Sequence, residues 1–338
     1  DDAGQSSSID QLLQGKAAGV QVLSNSAAPD AAVNIRIRGM SSLTGSSEPL
    51  YVVDGVILTS SNSSSMLSYG GDNTDADEAS NALMGLNPRD IASIEILKDA
   101  SATAIYGAQG ANGVVLITTK RGKAGDAKIS YDGMLALSQQ TSRLDMMNLR
   151  EYAEFYNEMA RIGEIGDPSP LYADPSILGV GTNWQDAIFQ TALQQQHQLS
   201  VSGGTDRVQY YVSGSYMDQE GTIIGSNFDR LSVRSNIDAQ VKKWMKMGVN
   251  VSFTNTNDDL KLADSEQGLI NYSLTTLPDI PIYDVNGNYS STSREGFTNP
   301  NPVALAMMDD ILLNRQKLNG NIFADITPIK NLTWHTEL

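Results

Sequence analysis

The sequence predicts a mixed α+β domain followed by antiparallel strands of a transmembrane β-barrel. Three observations carry that expectation. Residues 87–121 read as a compact strand–helix–strand unit. From Lys128 onward the segments lengthen and alternate in strict period two, apolar on one face and polar on the other. The connections between those segments alternate long and short, the pattern of a barrel with short turns at one end and long loops at the other.

Composition bounds the rest. A chain of 338 residues has room for about two domains at ~150 residues each. Net charge is −16, from 39 acidic against 23 basic residues, which argues against nucleic acid as a partner, because phosphate binding needs Lys and Arg. There are no cysteines, hence no disulfide framework and no thiolate chemistry. Two histidines, His197 and His335, leave little for a zinc site or a triad. No run approaches the ~18 apolar residues of a membrane helix, but a barrel hides its apolar face in alternation. The opening DDAGQSSS has neither the basic start nor the apolar stretch of a signal peptide. Either the protein is not exported or the chain is a trimmed mature form.

Taken in order, residues 1–8 form a polar lead-in and Ile9–Ala18 a short helix with Ile9, Leu12, Leu13 and Ala17 on one face. Val20–Leu23 and Asn34–Arg38 read as strands, the second placing Arg36 and Arg38 together. Those arginines suit either a solvated strand face or a hydrated interface in which acidic groups pair with them. Tyr51–Val53 and Val56–Leu58 flank Asp54-Gly55, a hairpin-turn dipeptide. Residues 59–86 are Ser/Gly-rich and acidic with little periodicity. Within them Asp72, Asp75, Asp77 and Glu78 are oxygen donors for a hard cation. Their spacing does not fit an EF-hand loop, and a solvated acidic loop is the favoured reading. Asn87-Pro88 starts a turn or helix. Ser93–Leu97 is a β-branched strand, Asp99–Tyr106 an Ala-rich helix capped by Asp99 or Ser101, Gly107 its left-handed end, and Gly113–Thr119 a buried strand.

In the second half, Ile129, Tyr131, Leu135 and Leu137 open the first alternating strand. Further strands run around His197–Val201, Val208–Tyr216, Leu231–Val241, Met245–Phe253, Leu318–Ile326 and Leu332–Leu338. The connections at 139–193, 218–229 and 256–313 are long or medium, and those at 203–207, 242–244 and 327–331 short. If the short turns are periplasmic, the strand at Lys128 runs outward and the preceding domain sits where it can fold into the lumen. Asp145–Ile162 reads as an amphipathic helix, and Gly181–Leu193 holds another short one. Trp184, Tyr283 and Tyr289 are rings able to stack on sugars, although each is more often local packing.

Four segments also carry a resemblance. LLQGKAAGVQV (12–22), VNIRIRGMSSL (33–43), PLYVVDGV (49–56) and NPRDIASIEILKDASATAIYGAQGANGVVLITTKRGK (87–123) are similar, in the same order, to the plug motifs of SusC-like TonB-dependent outer-membrane transporters. The resemblance implies a lead-in (1–8), a plug domain (9–123) and the first strands of an outer-membrane barrel (124–338). A plugged lumen goes with about 22 strands, so seven strands ending in mid-pattern read as the N-terminal part of a longer chain. The family's energy-coupling segment, the TonB box, is not recognisable. Arg36, Arg38, Gly39, Asp54, Gly55, Lys98, Asp99, Tyr106, Gly107, Asn112 and Gly113 match the family motifs and are assigned to plug architecture. Turn chemistry explains the glycines; nothing physical explains why Lys98-Asp99 or Tyr106 must be those types.

The function so implied is active import across the bacterial outer membrane, driven by the TonB–ExbB–ExbD complex, under a SusD-like surface lipoprotein. Two such transporter–lipoprotein pairs can form a dimer in this family. The substrate class is oligosaccharide, with peptide as the alternative. A soluble β-sandwich surface-binding module is the alternative of another class. The sequence holds no GxSxG, HExxH, P-loop or Rossmann spacing, so neither an enzyme nor a cofactor is expected. Tyr69, Asp72, Asn73, Trp184, Tyr283 and Tyr289 are the candidate substrate contacts.

Overall fold

The computed structural model describes residues 20–24, 33–37, 49–58, 86–263, 268–292, 299–309, 311–329 and 332–338. The expected helix Ile9–Ala18 and the residues Arg38, Gly39, Tyr69, Asp72, Asn73, Asp75, Asp77 and Glu78 lie outside the described residues.

The first half builds two small sheets around one apolar core. β1 (Val20–Ser24) and β2 (Val33–Ile37) pair antiparallel. β3 (Leu50–Val53), β4 (Val56–Leu58), β5 (Ile91–Leu97) and β6 (Val114–Thr119) form a second sheet in the order β4-β3-β6-β5. β3 lies parallel to β6, and the other neighbours are antiparallel. Ile35 and Ile37 of β2 join Tyr51, Val53, Leu86, Val115 and Ile117 in the core, which is what the period-two pattern dictates. The β3–β4 turn has Asp54 at φ 49 and Gly55 at φ 95, positive at both central residues as a tight hairpin requires.

The helical part departs from expectation. α1 covers only Ala100–Thr103, and a 3-10 stretch, Ala104–Gly110, continues it. Gly107 ends the first helical run, as expected, and a kink there separates it from a second short turn. Its φ of 59 and ψ of −143 are not left-handed helical but a combination open to glycine and closed to residues with a Cβ.

The second half is one seven-stranded meander, ordered β13-β12-β11-β10-β9-β8-β7, with every neighbour antiparallel. Its strands are β7 (Gly125–Ser138), β8 (Ala192–Gly204), β9 (Val208–Glu220), β10 (Asn227–Lys242), β11 (Met245–Leu260), β12 (Ile311–Ile329) and β13 (Leu332–Glu337). The short connections, after β8, β10 and β12, lie at one end of the sheet, and the longer ones, after β7, β9 and β11, at the other. Several strands outrun their expected length. β11 was expected to end near residue 255 and continues to Leu260, and the connection expected over 218–229 shrinks to 221–226. Thr256–Asp259 of β11 and Asp218–Glu220 of β9 are polar on both faces, so the hydrophobic alternation fades while the hydrogen-bond ladder continues.

This sheet is inside out compared with a soluble one. Gln196, Gln198, Ser213, Asn236, Asn250 and Thr254 are buried, whereas Leu231, Val233, Ile237, Val249 and Phe253 are exposed. On β10 the outward apolar run from Leu231 to Val241, interrupted by Ser235, covers about ten steps of ~3.3 Å. At a barrel tilt that gives roughly the 25 Å of an outer-membrane apolar band. Above it the outward face turns polar in one cross-strand row. Gln195 Nε2 donates to Asp218 Oδ2 at 3.0 Å, Asn257 Nδ2 donates to Asp229 Oδ2 at 2.8 Å, and Asn314 Nδ2 donates to Asn257 Oδ1. This row marks the upper edge of the lipid-facing band.

The long segments fold at the far end. α2 (Leu149–Arg161) carries a capping box: Asn148 Oδ1 accepts from the N–H groups of Arg150 and Glu151, and Glu151 returns a bond to Asn148 N. α3 (Trp184–Ile188), α4 (Leu269–Thr275) and α5 (Pro302–Met308) pack through Trp184, Ile188, Leu269, Ile280, Val303 and Ala306.

The lipid-facing reading is testable by depth. Ile237→Arg, mid-band, is expected to cost about 2–4 kcal/mol of folding stability in lipid, against about 0–1 kcal/mol for Asp229→Arg at the rim. Denaturant titration of the full-length protein in vesicles reads both, and equal costs would overturn the assignment of the band.

Candidate functional site

The site is the seam where the four-stranded inner sheet meets the polar face of the wall. Three inner elements reach it. The β3–β4 turn brings Asp54. The 3-10 turn Pro88–Asp90 brings Asp90 and is capped by Asn87, whose side chain accepts from Arg89 N. The end of β6 brings Thr119, followed by Arg121.

Arg234 of β10 stands between the two carboxylates. Its Nη1 lies 3.6 Å from Asp54 Oδ2 and its Nε 3.9 Å from Asp90 Oδ2, and all three side chains are buried. Each carboxylate is also held by neutral donors. Asp90 Oδ1 accepts from Gln198 Nε2 at 2.7 Å and from the Tyr211 hydroxyl at 2.8 Å. Asp54 accepts from Thr119 N at 3.0 Å and from Thr119 Oγ1 at 2.6 Å. The bonding continues outward: Asn236 Nδ2 donates to Thr119 Oγ1 at 2.9 Å and to the Lys120 carbonyl at 2.8 Å. Arg121 Nη1 donates to both Asp238 oxygens at 3.0 and 3.2 Å, and Lys246 Nζ lies 3.5 Å from the same carboxylate. The Arg121 guanidinium also lies 5.3 Å from the centre of the Phe323 ring, a cation–π approach. At Gly122 the chain presses on β9 so closely that a Cβ would stand 2.4 Å from Tyr210 N.

Buried charges persist only when paired and hydrogen-bonded, and Asp54, Asp90 and Arg234 meet both conditions across two different sheets. The arrangement offers no nucleophile–base pair, and among the described residues no cluster of His, Cys, Asp and Glu could hold a metal ion. Its chemistry is adhesion of one polar surface to another.

The sequence-derived residues divide by position. Asp54 is central to the seam, and Gly55 lies beside it, where a Cβ would meet the Glu337 carboxylate at 2.8 Å. Gly113, at φ 96, packs on Ile37. Arg36 is half-buried, Tyr106 and Asn112 are partly covered, and Lys98, Asp99 and Gly107 are exposed. Trp184 must be corrected as a substrate contact: it is 2% exposed, enclosed by the loop core, and its Nε1 donates to the Leu277 carbonyl at 3.0 Å. Its hydrophobic bulk places it in that core rather than on the surface. Tyr283 and Tyr289 stack on each other at 5.2 Å across a short hairpin, leaving Tyr283 half exposed.

Sequence reasoning did not single out Asp90, Thr119, Arg121, Gln198, Tyr211, Arg234, Asn236 or Asp238 as a site. Alternation placed Arg234, Asn236 and Asp238 on one face, but periodicity does not say what that face meets.

Comparison with known proteins agrees with this geometry. A model of the TonB-dependent receptor plug domain matches residues 1–114. TonB-dependent receptor SusC of Bacteroides thetaiotaomicron is 34% identical over 345 residues, covering 95% of this chain and 32% of the relative. TonB-dependent receptor P26 of Formosa agariphila is 36% identical over 328 residues, covering 95% of this chain and 30% of the relative. The RagAB peptide importer in its closed-closed state superposes with a TM-score of 0.79 at 30% identity, covering 98% of this chain and 38% of that one. The ferric enterobactin receptor of Pseudomonas aeruginosa shares the fold, with a TM-score of 0.54 at 13% identity. The chain spans about a third of the length of the curated relatives it matches. With its polar-lined, lipid-facing wall and its inner sheet seated against that wall, the chain belongs to the SusC-like TonB-dependent receptors, β-barrel proteins of the bacterial outer membrane.

Proposed function

We propose that the protein of which this chain is part imports oligosaccharides across the outer membrane, with a SusD-like lipoprotein over its outer mouth and TonB–ExbB–ExbD supplying the energy. The observation that carries this reading is the seam. The inner sheet has its own apolar core, but it meets the wall through ion pairs and amide and hydroxyl bonds that water can replace. A filling held in this way keeps the barrel shut and yields to a pull without dissolving its own core. The Ser-, Asn- and Gln-rich inner face suits hydroxyl-rich solutes through hydrogen bonds. The reading assigns no catalysis to the chain. A second reading, peptide import, draws on one observation, the similarity to the RagAB peptide importer.

Purification of the full-length protein from outer membranes in mild detergent is expected to bring a lipoprotein partner with it, and energised cells are expected to take up oligosaccharides in a manner sensitive to uncoupler. Uptake of peptides alone would favour the second reading, and recovery as a soluble lone protein would overturn both.

The seam itself is testable. Arg234→Met removes the cation shared by Asp54 and Asp90, leaving Asp54 only Arg121 at 4.0 Å, and is expected to destabilise the closed state by about 3–5 kcal/mol. The readouts are a lower melting temperature in detergent and new sensitivity of cells to a bulky antibiotic that the outer membrane normally excludes. Unchanged melting and an intact barrier would show that Arg234 does not hold the seam.

The outer hairpin has a pH signature. Backbone N–H bonds from Asn288 and Asn286 to Asp284 hold its carboxyl below the usual aspartate value of 3.8. A depressed folded value means that the stabilisation is full above the ordinary aspartate range and is lost as pH falls through the folded value. Hydrogen exchange at Asn286 and Asn288 is therefore expected, once corrected for intrinsic rates, to show protection at neutral pH that fades in acid, and Asp284→Ala is expected to lose it at all pH values.

A further inference from the structure

The inner sheet meets the wall on two unlike sides. Toward β8, β9 and β10 the contact is closed by the side-chain bonds of Gln198, Tyr211, Asn236 and Asp238. Toward β11 and β12 a cavity of about 50 Å³ remains between the β3–β4 hairpin and the wall, bordered by Asp54, Val56, Asn250, Ser252, Lys317 and Asn319. That volume holds roughly three or four waters. Across this part Asn321 Nδ2 donates to the Asp54 carbonyl, and that bond is long at 3.5 Å.

Some of the amide atoms around the cavity have no protein hydrogen bond. Asn250 is 5% exposed, yet neither its Nδ2 nor its Oδ1 has a hydrogen-bond partner, and Asn321 Oδ1 lacks one as well. Buried amides are rarely left so, and bound water is the ordinary remedy in a polar space large enough for it. The strand beside the cavity is also weakly tied. Among the described residues β4 is the edge of its sheet, three residues long and paired to β3 alone through Tyr51↔Leu58, Val52↔Ile57 and Val53↔Val56.

We propose that this hydrated cavity is where the permeation path opens. β4 moves away from β11 and β12 while the rest of the sheet stays bonded to β8, β9 and β10. Asn250, Ser252, Lys317 and Asn319 then line the path and present amide, hydroxyl and ammonium groups to a polar solute. The assignment rests on the importer reading and adds the side of the barrel on which transport takes place.

The chain lacks cysteine, which suits thiol labelling. Single Ser252→Cys, Asn319→Cys and Ser213→Cys variants are made in the full-length protein, with any cysteine elsewhere replaced. They are labelled in cells with a small membrane-impermeant thiol reagent during uptake of a mixed oligosaccharide hydrolysate, with and without uncoupler. Ser213 on β9 is 3% exposed and reports the bonded side. The expected result is several-fold faster labelling at positions 252 and 319 in energised cells, with position 213 unchanged. Uncoupler-sensitive uptake with a rise at 213 alone, or with no rise at 252 and 319, overturns the proposed side and leaves the importer reading standing. Absence of uptake together with no energy-dependent labelling at any position overturns both.

Discussion

The wall has its polar face inside, and the rest of the structure answers to that constraint. A sheet that turns Leu231, Val233 and Ile237 outward must place Arg234, Asn236 and Asp238 inward, because successive side chains point to opposite faces. Inside the wall those groups lose bulk water, and a charge there is tolerable only with a partner. Asp54 and Asp90 supply partners for Arg234, and Arg121 supplies one for Asp238. None of these inner residues is free to be apolar while its opposite number on the wall stays charged. The inner sheet is thus specified by the wall as much as by its own core.

Such pairing fixes position more than it adds stability. A buried ion pair is often no better than a hydrophobic pair of the same volume, because desolvation offsets the Coulomb attraction, whereas removing one partner is costly. The seam therefore resists a shift in register and loss of single groups, yet supplies little net cohesion. The opposite balance holds within the inner domain, where Ile35, Val115 and Ile117 are almost wholly buried and each contributes roughly 1.5–3 kcal/mol by leaving water. Cohesion inside the inner domain exceeds its adhesion to the wall.

Much of this was legible in the residues because period two is a strong signal. It placed the strands of the wall, their apolar faces and the short turns at one end, and the Asp54-Gly55 dipeptide announced its hairpin. The misses have physical causes. β11 continues past residue 255 because polar residues on both faces keep the backbone ladder while erasing the hydrophobic pattern. At Gly107 the sequence shows the break and the need for positive φ, but not the ψ of −143 that sets it apart from a left-handed cap. For Trp184 the sequence leaves sugar stacking beside the more common local packing, and packing holds, because α3 lies against α4 and α5, segments distant in sequence that together cover it. The seam was the least legible feature, since Asp90 and Arg234 are far apart in the chain and only folding brings them together.

The same contrast bears on where the inner domain can give way. Strand pairs break at an edge more readily than within a sheet, since an edge strand is bonded on one side only. β5 and β4 are the two edges. β5 is seven residues long, and the residues just before it, Asn87 and Asp90, bond to the wall. β4 has three residues and faces a cavity where both amide atoms of Asn250 and the Oδ1 of Asn321 have no protein hydrogen bond. Opening at β5 would unmake buried charge pairing and a long ladder together. Opening at β4 exposes groups already placed for water, so the weakest backbone and the wettest stretch of the seam coincide on the β11–β12 side.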